Sequence, residues 1–192
     1  IMIKRKQQQI LRTAEIMFNR FGVKKTAVDD IAHDARVAKA TIYNYFGSKE
    51  GLLKALILEK IQQFDQKLQE LLTANTQPIE KMKTLIREHI QLFINNPFIK
   101  DSSLHDEDFS EELNASEQHM LQNIISEASK AGLLHNANSQ QIINTMQLFL
   151  KGIEATLKNS ITYSLDSLES SIDFISSSIF KSNPIHGDKT NA

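Results

Sequence analysis

Apolar residues recur at steps of three and four along almost the whole chain, and only three prolines and six glycines punctuate 192 residues. That spacing lines apolar side chains along one stripe of a helix, and no segment shows the period of two that a half-buried strand needs. The expectation is an all-α protein of about nine helices. Ile10, Leu11, Ala14, Phe18 and Phe21 form the first stripe, over residues 4–21, and Gly22 stops it. Short segments follow at about 26–34 and 38–45. A long helix capped by Ser48 carries Leu52, Leu53, Leu56, Ile57, Ile61, Phe64, Leu68 and Leu71. Further helices are read at 79–95, 111–131, 139–159 and 164–181, with an acidic, irregular stretch at 100–112 and a left-handed cap at Gly132.

Composition narrows the class. Hydrophobic residues at 41% can bury a core. The absence of cysteine excludes disulfides, thiolate zinc sites and a cysteine nucleophile. No apolar run approaches the length of a membrane span, and Lys4, Arg5 and Lys6 precede glutamines rather than an apolar signal core. The expected location is the cytoplasm, with Met2 as the start of translation.

The formal net charge of −1 hides a strong asymmetry. Residues 1–60 hold twelve Lys and Arg against six Asp and Glu, a net +6, while residues 61–192 hold ten against seventeen, a net −7. A basic helical head of this size supplies the electrostatic part of phosphate binding, although charge alone fits a solvated face equally well.

Pattern decides between them. The two short segments, joined by three or four residues, have the layout of a helix-turn-helix. Ile31 and Ile42 can face each other across the pair, Ala32 is small where the helices cross, and Val37 can tuck inward. The second helix is too short to stand alone and must be held by packing. Lys39, Thr41, Tyr43 and Asn44 on its outer face are phosphate and base-edge donors without a core role.

Residues 10–57 resemble the DNA-binding domain of the TetR family of bacterial transcriptional regulators. The resemblance rests on Ile10 to Gly22, on Thr26-Ala27-Val28-Asp29-Asp30-Ile31-Ala32, and above all on Ala40-Thr41-Ile42-Tyr43-Asn44-Tyr45-Phe46-Gly47-Ser48-Lys49-Glu50-Gly51-Leu52-Leu53. It implies a DNA-binding domain at 1–50 and a helical ligand-binding and dimerisation domain at 51–192. By the same resemblance Thr26 caps the helix before the turn and brings backbone N–H groups to a phosphate. Lys39, Thr41 and Asn44 face the major groove, Tyr43 and Tyr45 touch the DNA backbone, and Lys49 meets a phosphate. For Tyr45, partial burial in the scaffold is an equal alternative. Two positions depart from the family pattern. Arg36 stands where the turn usually has Gly, at a cost of roughly 1 kcal/mol if the backbone is left-handed, and it adds a cation near DNA. Ala38 replaces the usual capping Ser.

For the remainder, the resemblance implies a homodimer on a pseudopalindromic duplex operator, released by a small-molecule ligand. His89, His105 and His119 show no recurring short spacing, so no metal site is read, and no cofactor is expected. Leu168, Ile172, Ile175 and Ile179 form a narrow seam in the last helix, and Gly152 and Thr156 permit close approach in the helix before it. Packing of the seam within one chain is the alternative, and a twofold dimer through these last two helices is the preferred reading because the family uses them. Phe64, Ile86, His89, Ile90, Phe93, Phe109, His119, Met120, Met146 and Phe149 mix aromatic, Met and polar groups as a pocket for an apolar or aromatic ligand would, and core packing explains each as well. The resulting expectation is a ligand-responsive repressor. The alternative is a ligand-independent architectural or partner-docking DNA binder. An enzyme ranks last, because no catalytic constellation stands out.

Overall fold

The computed structural model describes residues 2–100, 107–135, 138–158 and 164–181. These form eight α-helices and one 3-10 turn: α1 (Met2–Phe21), α2 (Val28–Asp34), α3 (Lys39–Phe46), α4 (Lys49–Thr73), α5 (Pro78–Asn95), the turn Pro97–Lys100, α6 (Glu107–Lys130), α7 (Ser139–Lys158) and α8 (Leu165–Ile179). The all-α expectation holds. The short turn supplies the ninth helical element, and α6 begins at Glu107, inside the stretch read as irregular. Ser164 caps α8 by accepting from the Ser167 N–H at 3.1 Å, and Pro78 opens α5 where a missing N–H costs nothing. Gly22 and Gly132 both adopt positive φ, as their stop positions require.

Contacts divide the chain into two compact units, one of residues 1–67 and 91–113, the other of 68–90 and 114–192. In the first, Ile10, Ala14, Met17 and Phe18 of α1, Ile31 and Ala32 of α2, Ile42 of α3 and Leu52, Leu53, Leu56 and Ile57 of α4 make one buried core. Phe98 of the 3-10 turn joins it, its ring 6.5 Å from that of Phe18. Glu15 and Lys60 pair at 2.7 Å and tie α1 to α4. In the second unit, buried Leu85, Ile86, Met120, Leu121, Ile124, Met146, Leu150 and Ile172 supply the apolar interior.

Candidate nucleic-acid interface

The turn between α2 and α3 is built by backbone hydrogen bonds. The Val37 N–H reaches the Ala32 carbonyl at 2.9 Å and the Arg36 N–H reaches His33 at 3.0 Å, the two bonds of a Schellman ending. That geometry puts Arg36 at φ +52°, the left-handed conformation that the missing glycine leaves to an L-residue. The Gln9 side-chain amide donates to the Ala35 carbonyl at 2.9 Å, so α1 steadies the same corner. Val37 packs half-buried against the core, and Ile31 and Ile42 are fully buried.

This packing fixes which face α3 presents. Ile42 is its only buried residue, so Lys39, Tyr43 and Asn44 lie exposed and Thr41 half-exposed on the opposite side. Tyr43 keeps 42% of its surface open. Tyr45 is half-buried, packed on the core and edge-on to Phe46 at 6.2 Å, which favours the scaffold alternative for that ring. Ala38 occupies the N-cap of α3 without a side-chain hydrogen bond, as its missing hydroxyl dictates. Gly47 takes φ +75°, and Ser48 then caps α4 by accepting from the Gly51 N–H at 3.0 Å. Lys49, half-exposed, is the first residue of α4.

Thr26 requires a correction. The N-cap of α2 is Ala27, and Thr26 is only 2% exposed. Its hydroxyl donates to the Gly22 carbonyl at 2.8 Å and lies 3.4 Å from that of Met17, sealing the end of α1 instead of capping α2. Sequence reasoning also missed a pairing: the Lys39 ammonium donates to the Asp29 carboxylate at 2.9 Å, joining the first turns of α3 and α2. That hydrogen bond, reinforced by the carboxylate's charge, raises the Lys39 pKa above its ordinary value. Ten residues separate the partners, so no helical spacing announces them.

The candidate ligand residues fall in both units. Phe64, Phe93 and Phe109 belong to the first unit, and Ile86, His89, Ile90, His119, Met120, Met146 and Phe149 to the second. Phe109 packs against the α1–α4 core, with the Lys54 ammonium 5.4 Å from its ring centroid, and His119 is exposed on α6. Phe64, Ile86, Ile90, Phe93, Met120 and Met146 are buried. Buried His89 on α5 and buried Glu117 on α6 are hydrogen-bonded partners. A cleft of about 410 Å³ opens between α5, α7 and α8, lined by Ile90, Phe149, Gly152, Thr156, Leu168 and Ile172 among others.

Of the seam residues, Ile172 and Ile179 are buried within their own unit, whereas Leu168 and Ile175 are half-buried. The outward apolar side chains are Leu148 of α7 and Phe174 of α8, each 72% exposed. Among the described residues no three metal-binding side chains cluster, and no helix is long and apolar enough to cross a membrane. His105 lies outside the described residues.

A short helix pair with a buried inner face and an exposed polar outer face, set on a longer scaffold helix, defines a helix-turn-helix protein. Residues 10–56 match the model of bacterial regulatory proteins of the tetR family, so the N-terminal segment is similar to that family's DNA-binding domain. The chain is 28% identical over 136 residues to the HTH-type transcriptional repressor KstR2 of Mycolicibacterium smegmatis, covering 66% of each chain. It is 34% identical over 87 residues to the fatty acid metabolism regulator protein of Bacillus subtilis, covering 45% of each. These matches thus span from about half to just under two thirds of the relatives' length. The fold agrees over a longer stretch with FadR of Bacillus subtilis, solved with stearoyl-CoA (TM-score 0.65, 22% identity, 90% of this chain and 98% of that one). A transcriptional regulator from Cytophaga hutchinsonii gives a TM-score of 0.74 at 19% identity, covering 88% and 93%.

Proposed function

We propose that the protein is a transcriptional repressor that binds a pseudopalindromic duplex operator as a homodimer and is released by an apolar small molecule. Residues 1–50 read the DNA in this scheme, and residues 51–192 hold the ligand and the dimer contact. The observation that carries it is the division of α3 into one buried residue, Ile42, and an outer face of Lys39, Thr41, Tyr43 and Asn44. That face suits groups that reach base edges and phosphates. Arg36 and Lys49 flank it as phosphate contacts, and Tyr43 is a stronger backbone contact than half-buried Tyr45.

For the ligand, a long acyl chain is the class to test first. A fatty acid metabolism regulator is among the relatives, and a structural neighbour was solved with stearoyl-CoA. Ile90 and Phe149 are the candidate ligand residues that line the α5–α7–α8 cleft. Release is a population shift, so the ligand must bind the DNA-incompetent state more tightly.

Fluorescence anisotropy on duplexes from the protein's own promoter region tests the reading. Sequence-preferring binding at moderate salt is expected. Tyr43→Ala and Lys49→Ala weaken it with folding intact, and Lys49→Ala reduces the salt slope by about one. Acyl-CoA should dissociate the complex. Equal affinity for promoter and random duplexes would overturn the repressor assignment, and unchanged affinity and slope in both variants would overturn the contacts.

A further inference from the structure

We propose, resting on the repressor reading, that Asp29 is a positioning residue for DNA recognition: it withholds the Lys39 ammonium from the phosphate backbone and aims it at a guanine edge in the major groove. Lys39 is the first residue of α3, and the N-terminal residues of a recognition helix are those that reach base edges. Its ammonium lies 2.9 Å from Asp29 Oδ2. An ammonium has three donors, so the tie to Asp29 leaves two, and guanine offers two neighbouring acceptors, O6 and N7.

The pair is a poor candidate for a purely structural role. Both side chains remain exposed, 49% for Lys39 and 66% for Asp29, and exposed ion pairs add little stability. Its larger effect falls on selectivity. A free lysine gains from any phosphate by counterion release, whatever the sequence. A lysine already neutralised by Asp29 loses that uniform gain, and the carboxylate repels a misplaced phosphate. A repulsive element of this kind widens the gap between the right and the wrong site.

The test compares native protein with Asp29→Asn, Lys39→Met and the double variant by anisotropy. The two probes are a random-sequence duplex pool and the tightest duplex selected from that pool, each followed from 50 to 200 mM salt, with circular dichroism melts to confirm folding. Asp29→Asn is expected to tighten binding to the random pool several-fold and to steepen its salt slope by about one. The selected duplex gains less, so the selectivity ratio falls. An unchanged slope, or equal gains on both probes, would reduce Asp29 to a general negative charge and overturn the proposal. Lys39→Met supplies an independent check should Asp29→Asn fold poorly: its loss on the selected duplex must exceed its loss on the random pool. Equal losses would mean that Lys39 is an ordinary phosphate contact. If the native protein binds the selected and random duplexes alike, the repressor reading fails first and carries this inference with it.

Discussion

At the scale of single residues, two positions show how closely the α2–α3–α4 corner is specified. A Cβ on Gly51 would stand 1.9 Å from the Phe46 carbonyl oxygen, a backbone atom that cannot swing aside. Alanine is the better helix former, so propensity alone predicts that Gly51→Ala stabilises α4. Overcrowding of the junction outweighs it, and a net loss of about 1–3 kcal/mol is expected in urea unfolding. A gain would show that the α3–α4 corner relaxes freely. Arg36 argues the other way. Its φ of +52° suits glycine, so Arg36→Gly is expected to raise unfolding stability by up to about 1 kcal/mol while removing one cation beside the recognition helix. Stability and DNA affinity should therefore move in opposite directions, and a fall in both would deny the strain. The departure at Arg36 was visible through the family resemblance, which sets Gly at this turn position, and the φ of +52° adds the backbone reason. The inward turn of Thr26 was not, because Ala27 could serve as the extended N-cap residue and free the threonine hydroxyl for the end of α1.

At the scale of elements, helix positions followed from apolar spacing because each helix buries one stripe, and residues three and four apart necessarily share it. Partners across helices carry no such period. The clamp between α5 and α8 is a case: Arg87 holds Glu169 with contacts of 2.9, 3.0 and 3.2 Å, and Lys83 holds Asp173 at 2.8 Å, over more than eighty residues of sequence. The Arg87 hydrogen bonds hold the Glu169 carboxyl below its ordinary pKa, and the Lys83 hydrogen bond does the same for Asp173. Carboxylates depressed in the folded state contribute their stability above their unfolded pKa and lose it as pH falls through the folded one. The clamp should thus be intact at neutral pH and fail below about pH 4. In thermal melts, the fall in Tm between pH 5 and pH 3 should be shallower for Glu169→Gln than for the native chain. Parallel curves would mean that the exposed pair, screened by solvent, adds nothing measurable.

At the scale of the whole molecule, the proposed twofold operator would need two copies of the basic head, and in that scheme the acidic remainder would bring them together without joining the DNA. The outer face of α8 has the chemistry for a contact between copies. Ser170, Ser171, Ser177 and Ser178 donate their hydroxyls to carbonyls of their own helix at 2.8–3.0 Å, so covering them strands no donor. Phe174 projects from among them, 72% exposed, while Ile172 and Ile179 already serve the interior. Two residues of the seam read from the sequence, Ile172 and Ile179, face their own unit, while Phe174 on the same helix faces out. A three-four seam looks the same whether it faces its own bundle or a partner, and only the buried face of α8 decides. Phe174→Ser removes an outward apolar group and should leave the melting temperature of the protomer nearly unchanged. Sedimentation equilibrium is expected to show at least tenfold weaker dimerisation, and operator affinity should fall in step at low protein concentration. Ile172→Ser should instead unfold the second unit, because it places a hydroxyl where the chain has already excluded water. A Phe174→Ser protein that sediments as the native dimer would move the contact off this face, leaving the cleft beside Leu148 and Gly152 as the next surface to mutate.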